Sequence, residues 1–138
     1  MINKKNIAQA LVLQANTIAS LNAYTFVTQG EQYEQNINDT YIEEMPIFGD
    51  DNSIGISDNS SDIQFGIYQL NIYTPKSNAG GRWEGLEIAD VYQAGFAKGL
   101  EIEQGGQTVR IKSTSLATMQ QTKDHFKHIL SVTYSAIS

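Results

Sequence analysis

The sequence predicts an α+β fold, a mixed, mostly antiparallel sheet of four to five strands packed by two helices, and three observations predict it. Residues 3–22 place Ile7, Leu11, Ala15 and Ile18 three or four positions apart, the spacing of one buried helical face. Residues 83–98 repeat that spacing through Ile88, Val91, Tyr92, Gly95 and Phe96. Residues 65–73, FGIYQLNIY, alternate instead, with Tyr68, Leu70 and Ile72 on one face and Ile67, Gln69, Asn71 and Tyr73 on the other, the signature of a strand with one face in the core.

The remaining elements follow in chain order. Asn3 or Asn6 is available as the N-cap of the first helix, whose first amides need an oxygen acceptor. Residues 24–27 read as a short strand and 28–40 as a loop. Residues 41–48 read as an edge strand or a strand end, because Pro46 cannot donate to a ladder. Residues 49–62, GDDNSIGISDNSSD, are turn-formers and acids and predict an exposed acidic loop. Residues 74–81 connect to the second helix, which is expected to end at Lys98 with Gly99 as its left-handed C-terminal residue. Gln104-Gly105-Gly106-Gln107 then joins Leu100 and Ile102 to Val109 and Ile111 as a hairpin. Residues 113–123 read as a polar turn, and 125–136 as a last strand with Phe126, His128, Leu130, Val132 and Tyr134 on one side.

At 138 residues the chain is expected to fold as one domain, 1–138, around one core. The net charge of −6 opposes a phosphate-clamping surface, which needs clustered Lys and Arg. Cysteine is absent, which excludes disulfides, thiolate metal sites and cysteine nucleophiles. No export signal or membrane-spanning stretch is expected, since Gln9, Gln14 and Asn16 interrupt the first apolar segment.

Charge is distributed unevenly. Between Asn6 and Pro75 the charged side chains are Glu31, Glu34, Asp39, Glu43, Glu44, Asp50, Asp51, Asp58 and Asp62, all acidic, whereas acids and bases balance from Arg82 onward. This reads either as a solvated set of loops or as an anionic surface that keeps another polyanion from adhering. Catalytic patterns are weak. Asp124, His125 and His128 crowd together, but on a strand, the reading of this segment, the two histidines point to opposite faces, which spoils a shared metal; on a helix, the alternative, they would be i, i+3 neighbours able to chelate. Glu43 and Glu44, adjacent on a strand, likewise diverge. Gly80-Gly81 before a helix lacks the spacing and lysine of a phosphate loop. Trp83 reads as a core or interface plug, with a stacking platform alongside Arg82 and Tyr92 as the alternative. No metal, cofactor or catalytic residue is expected.

The run G-R-W-E-G-L-E-I-A-D-V-Y-Q-A-G-F-A-K-G-L-E-I, followed by G-Q-T-V-R-I-K-S and a closing V-T-Y-S-A, resembles the tail terminator (tail completion) proteins of lambda-like long-tailed bacteriophages. The matching positions are Gly81, Ile88, Ala89, Asp90, Phe96, Leu100, Ile102, Gly105, Val109 and Ile111. The likeness covers residues 64–136 better than the first helix, and its motifs are packing motifs. It implies a structural virion protein, made in the host cytoplasm, that forms a ring, usually of six subunits, at the head-proximal end of the tail tube. Its partners are then copies of itself, the tail tube protein and a neck or head-completion protein. DNA passes through without specific binding, and the nine acids named above become candidates for the channel wall. A head–tail connector or neck protein of the same particle is the alternative within this class. A small cytosolic ligand-binding or enzyme domain, with His125, His128 and Asp124 in a pocket, is the alternative outside it.

Overall fold

A computed structural model describes residues 3–30, 38–53, 62–77 and 80–137, with side chains at 50–53 and 62 excepted. Helix α1 is Lys4–Asn22, capped by the Asn3 side chain, which accepts from the Asn6 amide. It ends where Ala23 turns left-handed at φ 58°. Strand β1, Phe26–Val27, pairs in parallel with β2, Tyr41–Ser53. Strand β3, Asp62–Pro75, leads into helix α2, Gly81–Gly95. Strands β4, Glu101–Gln104, and β5, Gln107–Leu116, form a hairpin; β6, Gln120–Gln121, and β7, His125–Ile137, close the chain.

The sheet has seven strands, ordered β1-β2-β3-β7-β5-β4 with β6 on β7, and every pairing except β1 with β2 is antiparallel. The α+β class and the mixed, mostly antiparallel sheet with two helices are as expected, but four to five strands was too few. β5 runs on to Leu116 and β6 follows, where a polar turn was expected over 113–123. Exposed strand residues such as Ser113 and Ser115 read as a turn in sequence because one side of this segment meets only solvent. The strands also take in both ends of 49–62: β2 reaches Ser53 and β3 starts at Asp62, with a bulge between Phe48 and Asp51. Residues 54–61 lie outside the described part.

The even-numbered residues of β3 and β7 face the helices. Tyr68, Leu70, Ile72, Leu130, Val132 and Tyr134 pack there against Ile7, Leu11 and Ala15 of α1 and Ile88, Ala89 and Tyr92 of α2, all buried. The two helices lock at one point, where the Tyr92 hydroxyl donates to the Ala15 carbonyl at 3.2 Å and the Gln14 amide to the Gly95 carbonyl at 2.8 Å. α2 ends here, with Phe96 as its cap, one turn before the expected Lys98; Gly99 is indeed left-handed, at φ 89°, but it sits in the turn into β4. The helix stops early because Phe96 is fully buried and its descent into the core bends the chain away.

The β4–β5 turn is the expected one. Gly105 and Gly106 have φ of 57° and 81°, the two consecutive positive values that a tight hairpin turn needs and that glycine adopts without steric cost. It also holds the start of α1, since Asn6 Nδ2 donates to the Gly105 carbonyl and the Asn3 amide to Gln107 Oε1. The Arg110–Glu101 pair across the hairpin, 3.4 Å with both side chains about half exposed, adds little in comparison.

His128 decides how close α2 comes to the sheet. Its ring lies directly under Gly85, where a Cβ would overlap the imidazole, so only glycine allows this approach. Neither ring nitrogen has a hydrogen-bond partner among the described residues, and burial lowers its pKa from the ordinary histidine value. Gly85→Ala therefore destabilises by about 1–3 kcal/mol despite the better helix propensity of alanine. Gly95→Ala, opposed mainly by the flexible end of Ile18, costs less; urea midpoints of the two variants check the order. Because the folded pKa of His128 is depressed, the unfolded chain takes up the proton first. The contribution is intact above the unfolded pKa of about 6.5 and is lost as pH falls below it. Melting temperature is expected to decline below that pH, and less steeply in His128→Leu.

Candidate functional site

The face of the sheet opposite the helices carries what a solitary domain would cover. Met45 and Ile47 on β2, Phe65 and Ile67 on β3 and Ile137 on β7 are 38–45% exposed and point away from the helices by strand alternation. The register sets Ile47 beside Ile67 and Ile67 beside Thr133, so the patch runs continuously across three strands. Ile47, Phe65, Ile67 and Thr133, with Phe48, Gly49 and Gly66, line an apolar groove of about 280 Å³. Contiguous apolar surface of this kind marks an interaction site. Sequence reading placed Ile67 on the half-wet face but missed the patch, because Met45, Ile47 and Phe65 look unremarkable until the pairing brings them together.

Pro46 lies in β2, and its position is instructive. The Ile42 amide donates outward to the Thr25 carbonyl of the β1 side at 2.9 Å, so even-numbered β2 residues present their backbone to the outer edge. β1 covers only Ile42 and Glu43, and beyond them Pro46 removes a donor from that edge, a common guard against edge-to-edge pairing. The apolar face, rather than the strand edge, is the open surface.

Of the nine acids, Glu31, Glu34 and Asp58 lie outside the described residues, and Asp50, Asp51 and Asp62 are placed by backbone alone, on β2 and β3. Glu44 faces the helices, accepting from the Tyr68 hydroxyl at 2.6 Å and the Gln29 amide at 2.9 Å. Burial first, and then this carboxylate, holds the Tyr68 phenol well above its usual range. Glu43 points the other way, as adjacent strand residues must, and sits beside Tyr73; burial and then Glu43 push that phenol up to about 12. Asp39 offers its backbone carbonyl to His125 Nε2 at 3.1 Å, so that nitrogen carries the proton. Glu43 and Glu44 also border a crevice of about 170 Å³ with Val27, Gln29 and Asn71. These carboxylates are structural partners of tyrosines and an amide as well as charges.

His125 and His128 go to opposite faces as expected: His125 edge-on against the stacked rings of Tyr41 and Tyr73, His128 under α2. Among the described residues no three His, Cys, Asp or Glu side chains gather to hold a metal ion, and no described helix is long and apolar enough to cross a membrane. Trp83 is not a core plug. It is 58% exposed, with the Arg82 guanidinium stacked on its ring at 4.2 Å.

The sequence matches the family model of phage tail terminator proteins over residues 6–134. The chain belongs to the phage tail terminator family. No curated protein matches this tail terminator. A solved chain known only by a sequence code shares its fold at TM-score 0.77, with 16% identity over 99% of this chain and 96% of that one. A chain from the virion of a native gene transfer agent particle does so at TM-score 0.56, with 13% identity over 97% and 96%. At such identities these two show the fold; the family match makes this tail terminator a structural protein of the phage virion.

The Tyr68–Glu44 bond joins the core to the first acid-bearing strand. Tyr68→Phe is expected to cost about 1.5 kcal/mol, the low end for a hydrogen bond to a charged group, because Glu44 keeps the Gln29 amide. Chemical denaturation of the variant at neutral pH measures it.

Proposed function

We propose that this terminator forms a ring, six subunits in the family pattern, on the head-proximal end of the tail tube, where it stops addition of tube subunits and presents a joint to the neck. The observation that carries the reading is family membership over nearly the whole chain, joined to an uncovered apolar face on the sheet. A ring needs two different surfaces per subunit, each complementary to the other, and the tube and neck need two more. Family membership favours this over a head–tail connector and over a small ligand-binding or enzyme domain.

The acids between Glu31 and Asp62, or some of them, face the channel in this reading. A base-poor wall repels the phosphates of DNA in transit, so the DNA passes without adhering. Glu43, exposed in part on the face opposite the helices, suits this better than Glu44, which faces the helix layer; Glu43 rests beside Tyr73 as Glu44 does beside Tyr68.

Electron microscopy of particles assembled without the protein tests the proposal. Tails of irregular or excessive length that fail to join filled heads are expected. Tails of normal length already attached to capsids overturn it, and a map of the assembled tail with all the described acids on the outer rim overturns the channel assignment alone.

A further inference from the structure

The apolar groove has a counterpart on the same chain. By helical geometry Trp83, two residues before the inward-facing Gly85, projects from α2 away from the sheet; it is 58% exposed and stacked with Arg82. Lys76 directly follows β3 and lies over the Phe126 ring at 6.0 Å, the ring that also meets the start of α2 at Gly81. Trp and Arg are among the residue types most enriched at interface hot spots. The groove offers the opposite chemistry: Ile47, Phe65, Ile67 and Thr133 form an apolar slot near the end of β2 and β3 that bears Asp50, Asp51 and Asp62, two strands without a base, while Lys127 of β7 lies toward the other end, over the Tyr73 ring. Lys4 reaches this region only from the α1 side, over Phe48 at 5.9 Å. The knob is at the Pro75 end of β3 on the helix layer, and the groove is toward the Asp62 end on the bare sheet face, so one molecule cannot bring them together.

We propose that Trp83 of one copy docks in the Ile47–Phe65–Ile67–Thr133 groove of the next, with Arg82 and Lys76 toward the end of β2 and β3 that bears Asp50, Asp51 and Asp62, which leaves Glu43, farther along β2, to the channel. This rests on the ring reading and supplies its subunit contact. The joint is head-to-tail, helix layer on sheet face, so each copy uses both surfaces once and the contact propagates until it closes. Hydrophobic docking supplies the affinity, and the charged rim supplies the order of faces and a dependence on salt.

Sedimentation of the full chain, up to its solubility limit, tests this with four proteins: wild type, Trp83→Ala, Ile67→Asp and Thr133→Arg. Trp83 is exposed, so its variant keeps the fold; Thr133→Arg serves if Ile67→Asp fails to fold, as read by circular dichroism. Wild type is expected to self-associate, more weakly at high salt, and each variant to associate about 30-fold more weakly or less still. Mixing Trp83→Ala with a groove variant is expected to restore a dimer and nothing larger, because such a pair holds one intact groove and one intact knob. Variants that assemble like wild type overturn this contact and leave the ring standing. Failure of the mixed pair to dimerise overturns the head-to-tail geometry, and loss of binding to tube ends alone assigns Trp83 to the tube protein. A wild type that stays monomeric also overturns the contact, while the ring is judged separately by the particles.

Discussion

The unbroken pairing of β3 with β7 is the constraint from which the molecule is built. The register holds from Ile63 opposite Ile137 to Pro75 opposite His125 without a bulge, so side-chain alternation stays in phase along both strands. One phase sends Tyr68, Leu70, Ile72, Leu130, Val132 and Tyr134 into the core; the other necessarily sends Phe65, Ile67, Thr133 and Ile137 outward. A slip by one residue would exchange the two sets. The core and the apolar outer face are therefore two consequences of a single alignment, and selection for the second can act only through residues that the first leaves free.

The two helices then make the faces unequal. α1 and α2 cover one side, held by Tyr92 on Ala15, Gln14 on Gly95 and the glycine-to-imidazole approach of Gly85 on His128. Nothing in the described chain covers the other side near Ile67. For an isolated protein such exposed apolar area is a liability; in the proposed ring it is the surface through which shape would be matched. Pro46 on the outer edge of β2 fits the same economy, because it discourages indiscriminate strand pairing while the adjoining face stays available.

The acids show how charge and architecture share residues. Glu44 is bound to Tyr68 and to a backbone amide, and Glu43 rests beside Tyr73, so both steady the β2–β3 pair while adding negative charge to that side of the molecule. Seven of the nine bases, meanwhile, lie from Lys76 onward, the other two being Lys4 and Lys5 at the start of α1. A dipolar distribution of this kind favours ordered head-to-tail contact over random association.

The sequence alone determined the helices, the central strands and the β4–β5 turn, since each is written in local chemistry: the stripe from Ile7 to Ile18, the alternation from Phe65 to Tyr73 and the Gly105-Gly106 pair. It also determined that His125 and His128 diverge, because strand geometry allows nothing else. The extension of β5 to Leu116, the run of β2 to Ser53 and the early end of α2 at Gly95 were decided by tertiary structure: a partner strand supplies hydrogen bonds to polar residues that show no periodicity, and a buried Phe96 overrides local helix preference. Tertiary structure likewise made one surface of Met45, Ile47, Phe65, Ile67 and Ile137, and it left Trp83 outside. Those residues are far apart in the chain, and only the pairing register, a non-local property, brings them side by side.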